Sequence, residues 1–419
     1  MREVAGVAAL LVGLLVVCIA GWYLIGRAFG QEPREATFLR RLFLAALALR
    51  LAVAVGTYYW LPYGFFAPDE AGYVLSAKAL IAGHHSSLAE VLNGEGWQYF
   101  NFLLFHLLGV NPLLPRLWNC AVGATLVVVS YSLARNLGAG SHARWTAILV
   151  GAFPSVVLWS SLNLKDADVW LLIVSGLLIS IRLQEPRRFR YALALVFIVC
   201  ALVPLRQYAA EAMLAAVGVS IIASFADFQR ELSIAGGLLA ACIIVAALVF
   251  PRAAESAFHA VGLAKLATLR HDFAIGARSA INPDPGLGTL HGTLTFLPTG
   301  LRDFFLRPFP WETGGALSTE TRPEAIAYYV LLVVVVIGIV YSLKKCPQHA
   351  IPPITFLVVA GIGYALVIAN LGTIYREREQ LIVVMFAFVG AGISAIQFNL
   401  TWWHRSAVVQ AGRGLRQDI

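Results

Sequence analysis

The sequence predicts an all-α, polytopic transmembrane bundle of about eleven spans, with helices lying along its outer face. Three observations predict it. Of the 419 residues, 59% are hydrophobic and only 13% charged, against about 45–50% and about 25% in soluble globules. Apolar stretches near the ~20 residues needed to cross hydrocarbon recur along the whole chain. Short loops rich in arginine separate them, and nothing shows the alternation in segments of about ten residues that marks an outer-membrane barrel.

In chain order the apolar runs fall at about 5–26, 42–61, 117–134, 145–162, 168–181, 191–205, 208–225, 232–250, 325–343, 351–370 and 380–398. They divide the chain into an extra N-terminal anchor with a basic loop (1–41), a transmembrane core (42–250) whose first outer loop is 62–116, a long outer loop (251–324), C-terminal transmembrane helices (325–398) and a tail (399–419). The first run reads as a retained anchor: Arg2 is offset by Glu3, the run is long, and no small-residue cleavage motif follows. "WQYFNFLLFHLLGV" (97–110) is apolar but too short to span, which predicts an interfacial or re-entrant helix. The long loop runs from Pro251 through "INPDPGLGTLHGT" to "FLPTGLRDFFLRPFPWE", where aromatics mixed with Arg302 and Arg307 predict a helix at headgroup level. No solenoid period or inverted hydropathy repeat is visible.

Loop charge predicts orientation. One set of loops holds Arg27, Arg34, Arg40, Arg41, Arg135, Arg144, Arg182, Arg187, Arg188, Arg190, Arg230, Lys344, Lys345, Arg405, Arg413 and Arg416, which is 16. The other set, counted like the first over the short loops and so without 251–324, holds Arg2, Lys78, Arg116, Lys165, Arg206, Arg376 and Arg378, which is 7. The first set is expected on the cytoplasmic side, with the N-terminus outside and the C-terminus inside. The net charge of +8 is then accounted for by loops facing an anionic leaflet, and no nucleic acid is needed to explain it. Cys18, Cys120, Cys200 and Cys242 fall within spans and Cys346 in a basic loop, so neither a disulfide framework nor a cysteine metal site is implied.

Polar chemistry gathers in the sparsely basic set of loops. "PDEAGYVLSAKALIAG" places Asp69 and Glu70 at the exit of the second span, with Tyr73 one turn on. Pro68 can start a helix there, closed by Gly83, whose dipole the two acids complement at about 0.3–1 kcal/mol each. The same carboxylates can accept a proton from an incoming hydroxyl or amine at the membrane boundary. In "SSLNLKDADVW" Asn163 reads as an N-cap and Asp166 as a first-turn acid; Lys165, Asp166 and Asp168 also lie on the same side as Asp69. Such carboxylates could share a divalent cation, Mg2+ or Mn2+, or divide base and positioning roles. "NLGTIYREREQ" (370–380) carries Tyr375, Arg376 and Arg378 against the charge bias. They read either as snorkelling arginines with local Glu partners or as a phosphate clamp, since arginine suits bidentate phosphate recognition. Both arginines reach one phosphate only if 372–379 is partly unwound, so an irregular segment is expected there. Arg50, inside a span, calls for partners, and Arg206 is expected to pair with Glu211 while facing substrate. His84 and His85 are adjacent, not spaced for a helical zinc site, and no phosphate loop or Gly-x-Ser-x-Gly appears.

The order of these segments resembles the GT-C glycosyltransferases, in particular bacterial members similar to protein O-mannosyltransferases and the lipid A aminoarabinose transferase. "LALRLAV" leads into "PDEAGYVLSAKALIAG", then "LLGVNPLLPRLWN", "VVVSYSLARNLG" and "PSVVLWSSLNLKDA", with a late arginine-rich outer motif. The likeness covers about 40–200 and, loosely, the last fifty residues. The extra first span, "EGWQYFN" in place of a Lys-Pro-Pro motif, and a short C-terminal tail depart from the family. The resemblance implies an enzyme of the bacterial cytoplasmic membrane that moves a sugar from a polyprenyl-phosphate donor, on the outer face, to a glycan, lipid or protein acceptor. It implies Asp69 as base or acceptor-orienting group with Glu70 beside it, Asp166 as second-loop acid, and Arg376 and Arg378 on the donor phosphate. Tyr73, Lys165, Arg206 and Tyr375 are further candidates to contact substrate. A polysaccharide polymerase or ligase and a lipid-linked sugar transporter are the alternatives.

Overall fold

The computed structural model describes residues 2–83, 91, 95–184, 189–225, 262–275, 279–309, 311–312 and 322–414. The expected span 232–250, the two histidines at 84 and 85 and part of the long loop lie outside these residues. Fifteen α-helices are described: α1 (Arg2–Ala28), α2 (Pro33–Trp60), α3 (Asp69–Ile81), α4 (Gly96–Leu108), α5 (Leu113–Ala134), α6 (Ala143–Ala152), α7 (Pro154–Trp159), α8 (Asp166–Arg182), α9 (Phe189–Leu205), α10 (Gln207–Phe225), α11 (Leu263–Ala274), α12 (Leu290–Leu306), α13 (Arg322–Lys345), α14 (Pro347–Val367) and α15 (Leu371–Gly414). Among the described residues no strand forms; one isolated antiparallel bridge joins Ala280 to Asn370.

Among the described residues, four helical runs are long and apolar enough to cross a membrane: Leu113–Ala152, Arg322–Lys345, Pro347–Val367 and Leu371–Phe398. Shorter apolar helices cover Val12–Ala28, Arg190–Leu202 and Gln207–Ile222. The first run is a hairpin and not one straight rod. Gly138, at φ +87°, turns the chain in a conformation that costs glycine little, and the returning Gly151 packs on Val127. At the centre stands α15, whose segment from Glu377 to Gly392 is buried on every side, the mark of an interior helix. It approaches α13 closely because both present glycine: a Cβ on Gly338 would collide with the Phe388 carbonyl, and one on Gly392 with the Val334 carbonyl.

Two expected elements come out differently. The run 145–162 is split between α6 and α7 at Phe153 (φ −64°, ψ 126°), where Pro154 follows. The residue before proline is pushed out of the helical region, and Pro154 has no N–H for the Val150 carbonyl. Arg50 compensates. Its guanidinium donates to the carbonyls of Val150 (2.8 Å), Gly151 (3.1 Å) and Ala46 (3.3 Å), and to Ser160 Oγ (2.8 Å). Two of the partners that the intramembrane charge calls for are therefore carbonyl dipoles at a helix break, and the others are the Ala46 carbonyl of its own helix and the Ser160 hydroxyl. The last span is expected at 380–398, yet α15 begins nine residues earlier, at Leu371.

Contacts sort the loops into two ends, as the charge count groups them. At one end Arg135 meets Glu32 (2.7 Å) and Arg144 meets Glu35 (2.7 Å). There Ser342 also donates to the Leu137 carbonyl, and Gln184 to that of Gln348. At the other end Arg116 meets Glu70, Arg206 meets Asp166 and Arg376 meets Asp69. As expected of its length, the 13-residue α4 is too short to cross a bilayer; it is held at this second end by buried Trp97, Asn101 and Phe105.

Candidate functional site

The site is assembled at the sparsely basic end from four separate segments. Asp69 and Glu70 open α3, which runs from Asp69 to Ile81 and ends before Gly83 at φ +95°, as Pro68 and the first-turn acids predict. The side chains of the two acids diverge. That of Asp69 is 50% exposed and accepts a 2.6 Å hydrogen bond from Arg376 Nη1. That of Glu70 is 1% exposed and forms a fork with Arg116, Nε to Oε1 at 2.9 Å and Nη2 to Oε2 at 2.8 Å.

From Asp69 an alternating chain of charge runs inward. Arg376 Nε lies 3.0 Å from Asp166 Oδ2, and Asp166, fully buried, accepts from Arg206 Nη2 at 2.9 Å through Oδ1. Arg206 also pairs with Glu377, which accepts from Gln380, and Tyr364 donates to Gln380 Oε1 at 2.8 Å. The helices explain the meeting. Asp166 is the first residue of α8, Arg206 sits in the break between α9 and α10, and Arg376 and Glu377 occupy the second turn of α15. Buried charges of this kind persist only when paired, and removing one partner costs about 3–5 kcal/mol.

Tyr73 and Lys165 border the chain. Burial raises the Tyr73 phenol to about 12, while Arg376 beside it acts the other way and Asp69 and Asp166 reinforce the rise. Tyr73 stays a hydroxyl donor at neutral pH. Lys165 is pushed down to about 7, first by burial and then by the positive charge of Arg206, against the pull of Asp166. It changes charge near neutrality.

Several expectations need correction. Glu70 does not face the site: Oε1 accepts from both Arg116 and the Asn163 backbone N–H (2.7 Å), and Oε2 is held by Arg116. It positions two site segments at once, the start of α3 and the loop that carries Lys165 and Asp166. Asn163 is not an N-cap; Lys165 occupies that place, and Asn163 bonds Trp97, Asn101 and Tyr63. Arg206 pairs with Asp166 and Glu377, whereas Glu211 accepts from Gln207. Segment 372–379 is regular helix, so Arg376 and Arg378 point apart. Arg378 donates to the Phe305 (3.2 Å) and Arg307 carbonyls and lies over the rings of Tyr328 and Tyr375. That leaves Tyr375 and Arg378 outside the Asp69 cluster, with Tyr375 lining a separate cavity of about 440 Å³ that Ser155, Trp159 and Glu324 also line.

Sequence reasoning missed Glu377 and Gln380, whose i,i+3 spacing within "REREQ" places them on one helix face. It also missed Asn119, which binds the carbonyls of Leu162 and Leu164, both at 2.6 Å; no local signal marks that role. The residues as placed do not form a metal donor set, because the Arg376 guanidinium fills the space between Asp69 and Asp166. Among the described residues no group of three or more His, Cys, Asp and Glu side chains is gathered for an ion. The arrangement is an ion-paired, partly open site at one end of a nearly all-helical protein whose described residues include four candidate membrane-spanning runs. Comparison with protein-family models, curated proteins and solved structures finds no match to the chain.

Proposed function

We propose that the protein is a membrane glycosyltransferase of GT-C type, with about eleven spans, moving a sugar from a polyprenyl-phosphate donor to an acceptor on the outer face of a bacterial cytoplasmic membrane. The observation that carries the reading is the contact of the half-exposed Asp69 with Arg376. A carboxylate suited to take a proton and a guanidinium suited to hold a phosphate thus meet at one boundary, backed by the buried Asp166–Arg206 pair. In this reading the donor phosphate draws Arg376 from Asp69. The freed carboxylate takes the proton of the acceptor hydroxyl as its oxygen bonds to the anomeric carbon. The bond from that carbon to the phosphate oxygen breaks, and the lipid phosphate leaves with the electron pair. Tyr73 is placed to donate a hydrogen bond to substrate, and Glu70 holds the geometry without touching it.

The test is Asp69→Asn, which keeps size and helix start but removes the base. Transfer in reconstituted membranes should fall by about 10²–10⁴-fold, the usual worth of general-base catalysis, with lipid-donor binding retained so that the loss lies in turnover. Turnover near that of the wild type would reduce Asp69 to a helix-dipole residue.

A further inference from the structure

At the strongly basic end, α2 and α6 border an open groove of about 780 Å³. Arg34, Arg41 and Arg144 line it together with Phe38, Leu42 and Ala45. The spacing 34, 38, 41, 45 places these α2 residues along one helix face. Arg144 is neutralised by Glu35 (2.7 Å) and lies over the Phe38 ring at 5.1 Å. Glu32, the next acid, is taken by Arg135. Arg34 and Arg41 are exposed, and among the described residues neither has an ion-pair or hydrogen-bond partner. Two uncompensated guanidinium groups therefore stand beside an apolar floor.

We propose that this groove binds an anionic phospholipid, its phosphate on Arg34 and Arg41 and its acyl chain along Phe38, Leu42 and Ala45. Charge fixes the headgroup class, since nothing else in the groove offsets the two arginines. Depth fixes the source as a lipid and not a soluble anion. Trp22 and Trp145, 46% and 50% exposed, stand at the same end of the molecule, Trp22 under Arg40 at 4.6 Å and Trp145 next to Arg144. Exposed tryptophans of this kind mark the headgroup level. The apolar floor then continues from the arginines into the hydrocarbon. The site is distant from Asp69, so the inference stands apart from the proposed reaction.

The purified full-length protein in neutral detergent would be titrated with phosphatidylglycerol, phosphatidylcholine and inorganic phosphate, with bound lipid read by native mass spectrometry and stability by thermal midpoint. Phosphatidylglycerol should bind and raise the midpoint, and the other two should not. The double variant Arg34→Gln/Arg41→Gln should bind it about thirtyfold more weakly, and each single variant about fivefold, from the usual worth of an arginine at an anionic surface. Arg34→Lys/Arg41→Lys, which keeps the charge, should retain most of the affinity. Equal binding of phosphatidylcholine, an unchanged affinity in the glutamine variants, or a midpoint shift reproduced by inorganic phosphate alone would overturn the proposal. If the double variant aggregates, the single variants decide on the same criteria.

Discussion

Arg376 and Arg378 sit two residues apart on one helix and serve different ends. Arg376 bridges Asp69 and Asp166, whereas Arg378 ties α15 to the end of α12 through two backbone carbonyls. Arg376→Lys should therefore weaken polyprenyl-phosphate binding by about 1–3 kcal/mol, the range for a hydrogen bond to a charged group, with thermal stability changed less. Arg378→Lys should do the reverse, lowering the unfolding midpoint while leaving donor affinity intact. Binding isotherms and melting curves on the two single variants check this; equal effects of both on donor binding would restore a shared clamp. Lys165 makes a second prediction. Its ordinary value is about 10.4, and burial brings it to about 7 in the folded protein. The unfolded chain then binds more protons between those values, so this residue's contribution to stability is complete above about 10.4 and is lost as pH falls to about 7. Transfer should show an inflection near 7 as the site gains a charge, and Lys165→Met should remove it. A pH–rate profile with the same inflection in the variant would assign the titration elsewhere.

At the scale of elements, the break between α6 and α7 is where sequence reasoning explains most once the contacts are known. Pro154 causes the break within the span expected at 145–162, and that Arg50 of α2 receives the stranded carbonyls is visible only in three dimensions. Arg50→Met should keep much of the volume and leave Val150, Gly151 and Ser160 short of a donor. At about 1–3 kcal/mol for a buried polar group left unsatisfied, the variant should lose several kcal/mol of stability, read as a lowered midpoint and faster proteolysis in the 150–160 segment. A melting curve matching the wild type would mean that water or neighbouring groups replace the guanidinium. The helix α3 was legible for a simpler reason: Pro68, two first-turn acids and Gly83 are local signals. The regular start of α15 was not. A phosphate clamp of both arginines requires an unwound turn, yet Arg376 pairs with Asp69 and Asp166 and Glu377 with Arg206, while Arg378 turns to the Phe305 and Arg307 carbonyls, all from a regular helix.

For the whole molecule, the two-ended sorting of loops turns the charge bias into a topology that can be measured. On a cysteine-free background, Asp284→Cys lies by sequence in the long outer loop, and its carboxylate is 73% exposed. It should react with an impermeant thiol reagent in intact cells. Lys344→Cys, at the basic end in α13's last turn, should react only after the membrane is opened. Labelling of residue 344 in intact cells would place the basic end outside and strand the Asp69 site on the cytoplasmic face.

Composition, spacing and loop charge alone determined that the chain forms apolar helices suited to a membrane, which loops share an end, and that Asp69, Asp166 and Arg376 lie at the end whose short loops are poor in Lys and Arg. These properties depend on the solvent each segment meets, and hydropathy and charge are local to the residue. Only the tertiary structure decided which of the two acids stays accessible. Asp69 and Glu70 are neighbours in sequence, alike in charge and dipole position, yet Arg116 and the Asn163 backbone bury one while the other remains half exposed. The difference is set by partners at sequence distances of 46 and 93 residues, and a buried carboxylate is stable only where such remote donors converge.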